Sequence, residues 1–339
     1  MSSNQSLPSL RLIEQIGRGT YGTVWKAYYP DERFVAVKRL NIDRETEGRS
    51  FMSILKILQS TQHPNIIHLE STSINSLDRT NGQLPRHPAP VDLIFPYMEH
   101  DLAGLIDNPS INIPLPVAKY YLQQILRGLE YLHANHIMHR DIKSSNILIS
   151  NCGSVRIADF GLARFADIRN AAYTNRVVTL WYRSPELLVG DQAYDYSVDM
   201  WSVGCIMIEL LTGSHPFPAA TEMDMLDRIF RLCGTPTSKG WPSFTSLPWY
   251  NHLKPKNHFP RRLFDVYRKM SPEALDLVDG LLCLNPKKRL TATEALGHRF
   301  FCADPLPISS NRHPHYSQSH EMKSRHLRLL KRKDLTMAL

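Results

Sequence analysis

The chain has 339 residues, 42% of them hydrophobic and 21% charged, with 40 Lys and Arg against 32 Asp and Glu for a net charge of +8. That is the profile of an ordinary globular chain long enough to bury a sizeable core, and it excludes collagenous, low-complexity and disulfide-dependent classes. The five cysteines (Cys152, Cys205, Cys233, Cys283, Cys302) form no C-x-x-C pair, which argues against a zinc site or a disulfide framework and for a reducing compartment.

The N-terminal MSSNQSLPSLRLIEQ has neither a charged n-region nor an apolar h-region, so no secretory signal is expected. Strand patterns follow at Leu12–Ile16, Thr23–Tyr29 and Phe34–Leu40, separated by glycine or Pro-Asp breaks. Phe51, Ile54, Leu55 and Leu58 fall at helical spacing and predict one amphipathic helix. Ile66–Leu69 and Val91–Phe95 again read as strands, with the polar stretch Ser71–Pro90 between them as a surface insertion. From Pro116 onward the pattern is helical, at Val117–His133, Val198–Leu211, Met223–Leu232 and Pro272–Leu282. The most apolar stretch, Val203–Leu211, is nine residues long and carries Glu209, so no membrane span is expected. Beyond Phe301 the sequence is Pro-, Ser- and His-rich and ends in a basic, leucine-containing segment.

The expected fold is α+β and bilobal: a small β-rich lobe with one main helix, then a larger helical lobe. The boundaries are a flexible N-terminus at 1–9, a small lobe at 10–97, a large lobe at 98–301 and a basic tail at 302–339. The excess positive charge, concentrated in runs such as Lys323–Lys333, is read as solvated faces and a tail rather than a nucleic-acid surface.

Four motifs carry chemistry. Gly17-Arg18-Gly19-Thr20-Tyr21-Gly22-Thr23-Val24 fits G-x-G-x-x-G-x-V, in which glycines let a turn between strands approach a polyphosphate closely. Val35-Ala36-Val37-Lys38 follows at strand spacing and offers a lysine to phosphates. His139-Arg140-Asp141-Ile142-Lys143-Ser144-Ser145-Asn146 fits H-R-D-x-x-x-x-N, and Asp159-Phe160-Gly161 supplies a second carboxylate for a metal. Their order and spacing together are far more specific than any one of them.

With these motifs, Leu10 to Phe301 resembles the eukaryotic protein kinases, and Thr174-Asn175-Arg176-Val177-Val178-Thr179-Leu180-Trp181-Tyr182-Arg183-Ser184-Pro185-Glu186 resembles the activation segment of cyclin-dependent kinases, with Ser-Pro-Glu for the usual Ala-Pro-Glu. The resemblance implies a serine/threonine kinase using ATP and Mg²⁺, with Asp141 accepting the hydroxyl proton, Lys143 on the γ-phosphate, Lys38 on the α- and β-phosphates, and Asn146 and Asp159 on the metal. It implies a nucleotide cleft built from Ile16, Gly17, Gly19, Gly22, Val24, Ala36, Phe95, Met98, Asp101 and Leu148. It makes Thr174 the activating phosphosite read by Arg140 and Arg164, and places Thr20 and Tyr21 at inhibitory phosphosites. Val177, Val178 and Arg183 become the pocket that selects proline after the target residue. Glu186 and Arg289 are expected to pair, and Asp199 to anchor the catalytic loop.

Glu99–Leu105, the "HRDIKSSNIL" loop, "LKPKNHFPRRL" and the tail "DPLP…SHEMKSRH" resemble the transcriptional branch, which acts on the Ser-Pro-containing heptad repeat of RNA polymerase II. That branch implies a nuclear location, with a cytoplasmic pool as an alternative. A cell-cycle or kinase-activating member is the alternative within the family.

One residue departs from the family. The glutamate that pairs with the strand lysine stands nine residues before the His of His-Pro-Asn, and counting back from His63 gives Ile54, preceded by Ser53 rather than arginine. An ungapped register from Glu45 places Lys56 there instead. The readings are an active kinase with Lys38 held by Asp159 or by phosphates, a weakly active scaffold, or a segment altered at an exon boundary. A cyclin partner is expected, through an atypical docking helix.

Overall fold

The structure is a computed structural model and describes residues 10–19, 22–29, 31, 33–40, 45–74, 91–166, 179–253 and 257–324. Strands β1 (Arg11–Gly19) and β2 (Gly22–Tyr28) form a hairpin, and β3 (Phe34–Leu40) pairs antiparallel with β2. Helix α1 (Glu45–Ser60) crosses to the cleft side, and β4 (Ser71–Ile74) and β5 (Val91–Pro96) complete a five-stranded sheet in the order β1-β2-β3-β5-β4.

Successive strand residues face opposite sides, so register decides what lines the cleft. Val24 lies opposite Lys38 and Lys38 opposite Leu93, while Ala36 lies opposite Phe95. These rows face the second lobe. The alternate residues Val35, Val37 and Ile94 pack with Ala27 and Tyr29 into a separate small core on the outer face.

Two expectations fail in this lobe. Ile66–Leu69 is not a strand: Ile66 makes one isolated bridge to Ile157, and the Ile67 amide donates to the Ile157 carbonyl at 2.9 Å. Its apolar residues are buried as a packed connection between the lobes. Conversely, the polar Ser71–Ile74, read as the start of an insertion, is the edge strand β4; residues 75–90 lie outside the described residues.

Past Pro96 come β6 (His100–Asp101), α2 (Leu102–Asp107) and α3 (Leu115–Ala134), which carries Pro116 in its first turn, where a missing N–H has no consequence. Short strands β7 (Ile137–Met138), β8 (Ile147–Ile149), β9 (Val155–Ile157) and β10 (Arg164–Phe165) follow. Helix α4 (Pro185–Leu188) precedes α5 (Ser197–Thr212), whose residues 198–210 are all buried. A helix apolar on every side belongs at the centre of the lobe. It ends at Gly213 with φ 70, a left-handed cap that glycine adopts without penalty. Helix α6 (Glu222–Cys233) follows, then a helix at Pro272–Leu281 that packs against α5 and one at Ala292–Leu296 that packs against α3.

Residues 302–324 do not trail away. They run back to the start of the large lobe, where the Asp101 amide donates to the Ser319 carbonyl at 3.2 Å and the Ser319 amide to His100 Nδ1 at 3.1 Å. No helix among the described residues is long and apolar enough to cross a membrane.

Candidate active site

Between the lobes lies a cavity of about 470 Å³, a size suited to a nucleotide. Ile16, Gly17, Val24, Ala36 and Phe95 line it from the sheet, Leu148 from the large lobe, and Met98 and Asp101 from the segment after β5. Lys38, Asn146 and Asp159 occupy its deeper end. Gly22 does not line it. A Cβ on Gly22 would sit 1.8 Å from the Arg39 carbonyl oxygen, and its φ is 152, so strand packing alone already requires this glycine. Thr20, Tyr21, Thr174, Val177 and Val178 lie outside the described residues.

The catalytic loop is held from below. Asp199, in the first turn of α5, accepts from the Arg140 amide at 2.8 Å through Oδ1 and from the His139 amide at 3.0 Å through Oδ2, which His133 also approaches at 3.1 Å. Burial pushes the Asp199 carboxyl up, but His133, His139 and the Arg140 N–H outweigh that and hold it below its ordinary value. These bonds keep Arg140 at φ 66, a conformation that costs about 1–3 kcal/mol outside glycine and persists only where the surroundings enforce it.

Asp141 sits at the cleft floor with both oxygens engaged. Lys143 Nζ donates to Oδ2 at 2.8 Å, Asn146 Nδ2 donates to Oδ2 at 3.1 Å, and the Thr179 hydroxyl and amide donate to Oδ1 at 3.1 and 3.2 Å. A hydroxyl, Thr179 Oγ1, thus already occupies hydrogen-bonding range of both Asp141 and Lys143, the latter at 3.0 Å.

Asp159, in the left-handed conformation at φ 61, accepts from Lys38 at 2.6 Å and from the Gly161 amide at 3.3 Å, both through Oδ1. Burial raises its pKa, but Lys38, Lys143 and Gly161 together hold it below the usual carboxylate range. Phe160 packs edge-on to His139 with centroids 4.9 Å apart, and burial lowers the pKa of the His139 imidazole. The Asn146 amide nitrogen is spent on Asp141, which leaves its Oδ1, with Asp159 Oδ2, as oxygen donors. Hard oxygen ligands completed by phosphates and water suit Mg²⁺.

Ile54 of α1 lines the cavity beside Lys38, with Phe51 and Leu58. The alternative, Lys56, is exposed, with its ammonium 5.9 Å from the Phe165 ring centroid. The α1 side chains that line the cavity are therefore hydrocarbons.

Arg140 donates to the Leu162 carbonyl and the Tyr194 hydroxyl, each at 2.8 Å, and Arg164 to the Ala163 carbonyl at 2.8 Å. Arg183 pairs with Glu222 at 2.5 Å. Arg289 meets Glu186 through two bonds of 2.7 and 2.9 Å, both side chains fully buried, as the motif led one to expect.

The tail supplies what sequence reasoning missed. His320 lines the same cavity, with Nδ1 3.4 Å from Asp101 Oδ2 and Nε2 3.3 Å from the Tyr97 hydroxyl. The Glu321 amide donates to Asp101 Oδ2 at 2.8 Å, and Gln318 donates to Tyr97. Asp101, read as a ribose contact, is also the N-cap of α2 through the Gly104 amide at 2.7 Å. The signal was present in the resemblance of "SHEMKSRH" to the transcriptional branch, but no periodicity marks it as a wall of the cleft.

A glycine-lined hairpin, a strand lysine, a carboxylate held by a lysine and an asparagine, and a second carboxylate one loop away define a phosphotransferase cleft of the protein kinase type. Residues 10–301 match the protein kinase domain family, and the chain belongs to that family. It is 42% identical over 331 residues to cyclin-dependent kinase C-1 of Oryza sativa subsp. japonica, covering 95% of this chain and 64% of the relative. It is 41% identical over 304 residues to CTD kinase subunit alpha of Saccharomyces cerevisiae, covering 87% and 55%. The crystal structure of the yeast RNA Pol II CTD kinase CTDK-1 complex aligns with a TM-score of 0.81 at 36% identity, covering 91% of this chain and 98% of that one. The chain spans less than two thirds of the length of these curated relatives.

Proposed function

We propose that this chain transfers the γ-phosphate of ATP to serine or threonine followed by proline, on the C-terminal repeat of RNA polymerase II, as a cyclin-bound nuclear kinase. The observation that carries the reading is the arrangement around Asp141: a carboxylate, a lysine and a hydroxyl mutually within 3.1 Å, beside two metal-ligand candidates. In that arrangement Asp141 orients the acceptor hydroxyl and takes its proton, and Lys143 neutralises charge on the transferring group. Lys38 draws the phosphates toward the sheet, while Asn146 and Asp159 would hold Mg²⁺, which supplies charge neutralisation on the phosphates. Asp101 and His320 bound the ribose end, and Val24, Ala36 and Leu148 enclose the base. Phosphorylated Thr174 would be read by Arg140 and Arg164, with Thr20 and Tyr21 as inhibitory sites, and Val177, Val178 and Arg183 would admit the proline.

The cyclin reading is supported by exposed apolar residues on α1 and the strand after Asp159-Phe160-Gly161, Met52 at 62% and Phe165 at 38% exposure. The relatives named as CTD kinases support the substrate. The test is phosphate incorporation into a Ser-Pro heptad peptide with Mg·ATP and a panel of cyclins. Wild type should label the peptide and Asp141→Asn should reduce labelling at least about a thousandfold. A chain that binds nucleotide yet labels no peptide with any cyclin would instead be a scaffold.

A further inference from the structure

We propose that in this chain Asp159 is the positioning residue for Lys38 as well as a metal ligand, so that Lys38 and a divalent cation compete for one carboxylate. The inference deepens the kinase reading and rests on it. Lys38 Nζ lies 2.6 Å from Asp159 Oδ1, and among the described residues Asp159 is its only carboxylate partner. The helix that could supply another presents Ile54 to the cavity, flanked by the equally apolar Phe51 and Leu58. Lys38 is 17% exposed, too enclosed for water to replace a counter-charge fully.

The consequence follows from counting charges. With a cation on Asp159 Oδ2 and no nucleotide present, Lys38 on Oδ1 must share a single negative charge with a second positive charge. A carboxylate on α1 would keep the lysine paired through that step; Ile54 does not. When nucleotide arrives with the cation, its phosphates replace Asp159 as the partner of Lys38, and the conflict ends. Cation and nucleotide therefore bind with strong positive coupling, and the cation binds weakly by itself. The lysine is handed from carboxylate to phosphate, with α1 taking no part in the exchange.

The test measures binding rather than turnover. Free Mn²⁺, counted by electron paramagnetic resonance, gives cation affinity with and without ADP, and a fluorescent ADP analogue gives nucleotide affinity with and without Mg²⁺. Ile54→Glu should tighten Mn²⁺ binding in the absence of nucleotide about tenfold and shrink the coupling ratio by the same factor, while the neutral Ile54→Gln should match wild type. Lys38→Met, which removes the competitor without placing a charge in the apolar wall, should also tighten Mn²⁺ binding without nucleotide. Unchanged coupling in both Ile54→Glu and Lys38→Met overturns the proposal. A wild-type chain that binds no ADP analogue at all overturns the kinase reading itself, which separates the two failures.

Discussion

Ser184 puts a hydroxyl where the protein kinase motif has alanine, and that hydroxyl is fully buried with no hydrogen-bond partner among the described residues. A buried, unmatched hydroxyl costs about 1–3 kcal/mol. Ser184→Ala should therefore raise stability by about 1 kcal/mol, read as a higher urea midpoint at unchanged slope. Close by, Glu209 of α5 accepts from the Tyr182 hydroxyl at 2.9 Å, and Tyr182 in turn lies 2.7 Å from Ser144 Oγ of the catalytic loop. Burial pushes the Glu209 carboxyl from an ordinary 4.5 to about 8, with Asp107 adding to the rise. The folded state thus holds a proton that the unfolded chain releases above about pH 4.5. This stability is fully present below that pH and is lost as pH rises to about 8, at up to roughly 1.4 kcal/mol per unit. Glu209→Gln, which mimics the neutral acid, should flatten this part of the pH–stability curve in thermal melts between about pH 5 and 8. At this scale the sequence was most legible where chemistry is local: Asp141, Lys143 and Asn146 lie within one short loop, so spacing alone brings them together. Gly22 was legible as a necessary glycine, but its packing reason was not, because the Arg39 carbonyl it must clear lies on another strand.

Elements were readable where one face is buried. The strands β1, β2 and β3 alternate or run apolar, β5 is an apolar run, and α1, α3 and α6 carry apolar stripes, so pattern identified them. Ile66–Leu69 defeated that reading because a buried apolar run looks the same in a strand and in a packed connection. Ser71–Ile74 defeated it in reverse, since an edge strand open to water needs little apolar content. The tail is the largest omission. Pro-, Ser- and His-rich sequence has no stripe to bury, and it docks instead through backbone and polar side-chain bonds, such as Ser324 Oγ to the Gly104 carbonyl at 2.9 Å. Gly104 makes that docking possible: a Cβ there would lie 2.6 Å from the Ser319 carbonyl oxygen. Gly104→Ala should loosen the tail, speed its proteolytic removal after Arg312, and raise the Kd for ADP several-fold, with little change in thermal stability of the large lobe.

For the molecule as a whole, the two lobes carry different kinds of control. The large lobe is tied to its catalytic loop by Asp199 and to its activation segment by the Arg289–Glu186 pair, both wholly enclosed. Among the described residues the small lobe pairs with the metal-site carboxylate Asp159 through Lys38, whose partner would change as nucleotide and cation bind. The sequence showed that the helix glutamate was missing; only the fold shows that Asp159 has taken over its partner. The tail adds a consequence in time. Tyr97 and His320 stand 223 residues apart in the chain, yet they touch at one end of the cleft. During synthesis the lobes can form as they emerge, N-terminal first. The catalytic loop is then complete long before the ribosome reaches His320. A chain stopped between the catalytic loop and His320 would hold every catalytic residue and lack one wall of its cleft, so the cleft closes only once the segment 302–324 has been made and has folded back.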